Sequence, residues 1–151
     1  MVVKSSRMGS VHFYFEKVAV PLKDRNKLKR FIKSLIAREK KQLNHLNYIF
    51  CSDKALLEIN RKYLDHNFYT DIITFDLSSS PKEIFADFYI SVDRIKENAK
   101  SLKVSLKEEL HRVMFHGVMH LCGYNDKTES QRRVMRKKED FYVNLYFSRF
   151  T

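Results

Sequence analysis

From Leu106 to Leu121, apolar side chains cover so much of a helical surface that the segment has one stable setting, a central and buried helix. Leu106, Leu110, Val113, Met114, Gly117, Val118 and Leu121 recur at the spacing of successive turns. Ser105-x-x-Glu108 offers a capping box at its start. Gly123 offers a left-handed residue to end it. The fold has to be built around this helix. It also carries His116 and His120, whose four-residue spacing sends both imidazoles out of one face. His111 lies off that face, because five residues rotate it by about 140° from His116.

Beyond Gly123 the chain can fold back and bring the carboxylate of Asp126 toward the two imidazoles. Two imidazoles and one carboxylate make three protein ligands with a position left for water. That is the pattern of catalytic rather than structural zinc, one ion per chain. The competing reading is a chance His-x-x-x-His pair on a core helix. The glycine turn and the acid just beyond it favour the metal. Gly117 stands where His-Glu-x-x-His peptidases carry their glutamate base, which excludes peptidase chemistry of that type. Cys122 is an alternative ligand, but its helical neighbours read it as a small buried hydrophobe.

At 151 residues, 44% of them hydrophobic and 13% aromatic, the chain is long enough for one domain with its own core. Residues 1–10 are set aside as a disordered N-terminal segment, and 11–151 as a single domain. Cys51 and Cys122 do not make a disulfide framework, and neither a signal peptide nor a membrane span is legible. A cytoplasmic protein is expected. The net charge of +11 points to a polyanionic partner, most simply nucleic acid. Lys23, Arg25, Lys27, Lys29, Arg30 and Lys33 crowd one segment, and Arg132, Arg133, Arg136, Lys137 and Lys138 another. Both suit phosphate contact, and the first is also accounted for as the solvated face of a helix.

The periodicity predicts a strand at Val11–Phe15, with His12 on its surface. A helix opened by Pro21 follows, burying Leu28, Phe31, Ile32, Leu35 and Ile36. Next come a strand at Leu46–Cys51 and a helix capped by Ser52 or Asp53 that runs to about Leu64. A polar, aromatic loop from Tyr63 to Asp71 feeds a strand at Ile72–Phe75, and Ser78–Pro81 turns into a strand from Ile84 to Ser91. A short helix capped by Ser91 or Asp93 precedes the histidine helix. Thr128-x-x-Gln131 opens the last one, with Val134, Met135, Phe141, Tyr142 and Leu145 expected to face the core. This order predicts an α+β fold: a small, mixed, four-stranded sheet covered by helices, with the metal-binding helix central.

The run His116-Gly117-Val118-Met119-His120-Leu121-Cys122-Gly123-Tyr124 resembles the signature of the YbeY-type endoribonucleases, His-Gly-x-x-His-Leu-x-Gly-Tyr-Asp-His. Asn125 replaces the Asp of that pattern and Asp126 its third His. Thr70-Asp71 before an apolar strand and Asp87-Phe88-Tyr89-Ile90-Ser91 continue the likeness, which spans about Val11 to Leu145. Many members read Tyr-Arg where this chain has Tyr63-Leu64, and Arg61, one turn away, is the candidate substitute. The resemblance implies a zinc-dependent endoribonuclease, specific for single strands, in small-subunit ribosomal RNA maturation and ribosome quality control. It also implies contacts with the ribosomal subunit, ribosomal proteins and an assembly GTPase, and no membrane. Arg61, Arg132, Arg133 and Arg136 are the expected RNA contacts. Two other readings compete: a ribosome-associated assembly factor with a mainly structural metal, and a hydrolase of small substrates, which would not need this charge.

Overall fold

The computed structural model describes residues 9–149. The elements run β1 (Ser10–Phe15), α1 (Arg25–Arg38), β2 (Gln42–Cys51), α2 (Asp53–Leu64), β3 (Ile72–Asp76), β4 (Glu83–Ser91), α3 (Val92–Leu102), α4 (Leu106–Leu121) and α5 (Glu129–Arg149). Of residues 1–10, for which disorder is expected, positions 1–8 lie outside the described residues. Ser10 already pairs with His45 as the first residue of β1.

The sheet order is β1-β2-β4-β3. β1, β2 and β4 are mutually parallel, and β3 runs antiparallel to β4 at one edge. The fold is α+β with a four-stranded mixed sheet, as the sequence predicts. Alternation assigns the two faces. Leu46, Tyr48 and Phe50 of β2, with Ile84, Ala86, Phe88 and Ile90 of β4, pack against α1, α4 and α5. Cys51, Ile73, Phe75 and Tyr89 meet α2 on the other face. The α4 helix sits in the larger core, with Val113, Met114, Phe115, Val118 and Met119 all buried. Tyr48 donates its buried hydroxyl to the Met114 carbonyl at 3.0 Å, which joins sheet to helix for roughly 1 kcal/mol.

Three sequence expectations change. Pro21 does not open α1: Leu22 turns into the core first, and the helix begins at Arg25 behind Asp24, whose φ is 52°. β2 starts four residues early, because the mostly polar stretch Gln42–His45 pairs with β4 although its composition gives no strand signal. On α5, Val134 and Phe141 face solvent. The inward stripe is Met135, Glu139, Tyr142 and Tyr146, spaced by four, three and four. A buried glutamate inside that stripe masks its register.

Candidate metal centre

Ser105 accepts the Glu108 N–H at 3.0 Å and starts α4. Gly117 lets the helix lie close on the sheet, since a Cβ there would meet Ile72 and the Phe88 ring at 2.9 Å. At the other end, Tyr124 N–H bonds the Met119 carbonyl and Gly123 N–H the His120 carbonyl, both at 3.0 Å, with Gly123 at φ 101°. This is a Schellman motif closed by the one residue type that adopts such a φ without strain. The Tyr124 hydroxyl then donates to Glu39 at 2.9 Å and fixes the returning chain. Thr128 and Gln131 exchange hydrogen bonds, each at 3.1 Å, and open α5.

This turn delivers Asp126 as the sequence predicts. Its Oδ2 lies 3.5 Å from His116 Nε2 and 3.3 Å from His120 Nε2. Two ligands on a tetrahedral zinc at about 2.0–2.1 Å stand about 3.3–3.4 Å apart. Both separations from Asp126 therefore match a zinc-sized ion, and the three donor atoms all lie within 4.8 Å of one another. Among the described residues, these three side chains form the group that could hold a metal ion. All three side chains remain partly exposed, so a fourth position opens to solvent.

Sequence reasoning missed what holds His116. Its Nδ1 donates to Glu139 Oε2 at 2.5 Å, leaving the Nε2 lone pair aimed at Asp126. Glu139 Oε1 accepts Arg112 Nη1 at 2.9 Å, and Arg112 also chelates Glu109 at 2.9 and 2.5 Å. Glu109 and Glu139 are both buried, and Arg112 is mostly so. Burial alone would raise the Glu139 carboxyl, but its bond to His116 and the Arg112 charge hold it below the ordinary carboxylate range. Asp71, hydrogen-bonded by Asn98 at 3.1 Å, is raised by burial against the opposing charges of His116 and Arg112. No local motif marks these residues. Glu139 lies thirteen positions beyond Asp126, on another helix.

The other candidates lie elsewhere. Arg132 donates to the carbonyls of Asp126 (3.4 Å) and Lys127 (3.0 Å), bracing the ligand turn. Arg133 pairs with Glu129 at 3.1 Å on the surface, Arg136 shares a depression with Asp140 and Glu108, and Arg61 bonds Asn67. Two further histidines also stand apart from the centre: His66 stacks on Phe68, and His111 is buried against Tyr146 and Phe147. Burial pushes the Cys122 thiol up to about 12, which suits a packed thiol rather than a ligand.

An α+β sheet with a buried helix presenting two histidines, and an aspartate returned to them by a glycine turn, is the arrangement of a protein that could hold a metal ion in a partly exposed site. The family model described as endoribonuclease YbeY matches residues 13–146. Proteins named endoribonuclease YbeY from Cytophaga hutchinsonii and Flavobacterium psychrophilum are similar at 44% identity over 136 residues and 49% over 116. The first alignment covers 90% of this chain and 95% of the relative, the second 77% and 82%. The solution structure of TM1509 from Thermotoga maritima shares the fold, with a TM-score of 0.63, 24% identity and coverage of 89% of this chain and 87% of that one. The chain belongs to the endoribonuclease YbeY family.

Proposed function

We propose that the protein is a single-strand-specific endoribonuclease that works on ribosomal RNA in the cytoplasm, in small-subunit rRNA maturation and ribosome quality control. The observation that carries this reading is the convergence of His116, His120 and Asp126 on one point, within 4.8 Å of one another, in a chain of this family. Zinc in that site would supply Lewis acidity toward a phosphoryl oxygen and a water with a pKa near neutrality. The chain's own residues do the rest. Glu139 fixes the His116 tautomer, and Arg112 keeps Glu139 charged. Arg132 holds the turn that carries Asp126. Arg133, Arg136 and Arg61 are exposed and would hold flanking phosphates. The anionic Asp126 lowers the net charge of the site relative to three histidines, so a metal bound there would be a weaker Lewis acid toward water. Expected partners are the ribosomal subunit, its proteins and an assembly GTPase. Among the described residues, no helix is long and apolar enough to cross a membrane.

Leu64, where the resemblance calls for an arginine, favours a second reading, an assembly factor with a mainly structural metal. One experiment separates them. Native protein, metal-depleted protein and the His116→Ala/His120→Ala variant are compared for ribosome binding and for cleavage of single-stranded and duplex rRNA fragments. The endoribonuclease reading requires metal-dependent cleavage of the single strand, lost in the variant while ribosome binding persists. Binding without cleavage in any form would leave the assembly factor.

A further inference from the structure

Apolar rings exposed together within one short segment, unlike singly scattered ones, single out a contact surface. Tyr63 at the end of α2, and Phe68 and Tyr69 in the connection to β3, are 61%, 55% and 54% exposed. The segment that carries them is braced. Asn60, buried in α2, accepts the His66 N–H on its backbone carbonyl at 3.1 Å. Its side-chain amide donates to the Phe68 carbonyl at 2.9 Å, and Arg61 donates to Asn67 at 2.5 Å. The backbone is thus fixed from within while the rings stay outside.

The rings are already arranged as planar surfaces. His66 and Phe68 stack with centroids 5.0 Å apart and planes 21° apart, a pair that a third ring would lengthen. Arg94, held by Asp53 at 2.7 Å, stands 5.2 Å from the Tyr69 ring centre, and Lys62 Nζ lies 5.3 Å from that of Tyr63. The loop also runs directly into the flank of the metal centre. Asp71 follows Tyr69 by two residues, at most about 7 Å of chain, and its carboxylate accepts the Asn98 side-chain amide at 3.1 Å. Ile72, next in line, packs against Gly117 beside His116.

We propose that residues 63–69 form a base-stacking subsite, in which Phe68 and Tyr69 receive unpaired nucleobases of single-stranded RNA beside the metal centre. Arg94 and Lys62 hold the adjoining phosphates. Every base has a π-face, so such a platform tolerates sequence, but it takes only bases that are not paired. That makes the loop a source of strand selectivity. The cations interleaved with the rings and the net charge of +11 favour a polyanion over a protein here. The proposal rests on the endoribonuclease reading.

The chain has no tryptophan, so Phe68→Trp introduces a single reporter. Zinc-loaded protein is mixed by stopped flow with a short single-stranded RNA or its duplex, and binding is read by anisotropy before cleavage. The single strand is expected to quench the Trp fluorescence in step with binding, and the duplex to bind without quenching. Phe68→Ala/Tyr69→Ala should weaken single-strand binding at least about tenfold, the scale of lost stacking, with duplex binding and metal content unchanged. Single-strand binding without quenching, or native affinity in the alanine variant, would overturn the subsite and leave the rings to a protein partner. Failure of native protein to bind either RNA would remove the endoribonuclease reading, and the subsite with it.

Discussion

Glu139 shows how much a single residue contributes that its own neighbourhood in sequence does not announce. It sits in a run of basic residues, yet it is buried and holds His116 at 2.5 Å. Glu139→Gln keeps the shape and removes the charge, and is expected to lower zinc affinity by roughly 10- to 100-fold. Competition with a chromophoric chelator measures this, and unchanged affinity would contradict the role. His111 was legible as off the ligand face, but not as a titrating core residue. Burial pushes it down to about 4, only partly opposed by its bond to the Lys107 carbonyl at 2.7 Å. An unfolded histidine titrates near 6.5. Below that pH the unfolded chain takes up a proton that the folded chain refuses, so stability falls as pH drops toward 4. His111→Phe retains a ring against Tyr146 and removes this effect. Between pH 7 and 4.5, the native chain should lose roughly 2–3 kcal/mol more than the variant, as read from denaturant unfolding. Equal losses would contradict the assignment.

At the scale of elements, patterns that depend on local chemistry were readable and those that depend on packing were not. Ser52, Ser91, Ser105 and Thr128 each cap the helix that their sequence context announces. The Gly123 turn was equally legible, because one left-handed residue dictates it. The mostly polar stretch Gln42–His45 was not, since its place in β2 comes from pairing with β4. Val134 and Phe141 were assigned inward because the true face of α5 contains Glu139, a polar residue that an apolar count rejects. Gly117 ties α4 to the sheet. Alanine there gains about 1 kcal/mol in helix propensity, but its Cβ would press on Ile72 and the fully buried Phe88 ring at 2.9 Å. Overpacking of this kind costs about 1–3 kcal/mol, so Gly117→Ala is expected to melt at a lower temperature than the native chain. A higher Tm would show that the contact relaxes freely.

Across the whole molecule, the order of elements disclosed an α+β architecture, whereas the strand order β1-β2-β4-β3 depends on long-range pairing that periodicity does not encode. The basic surface was readable as charge but not as geometry. Arg132 braces the Asp126 turn, while Arg133 and Arg136 lie further along α5. If those two contact phosphates, single-strand affinity falls linearly with salt on logarithmic axes, and Arg133→Gln/Arg136→Gln reduces the slope by about 1.4, at about 0.7 per phosphate. An unchanged slope would remove them from the interface. The central claim remains that His116, His120 and Asp126 hold one zinc. Non-denaturing mass spectrometry of the intact protein, beside Asp126→Ala, tests it most directly. One zinc per native chain and little in the variant is the predicted result. A native chain that stays empty when zinc is added would contradict it.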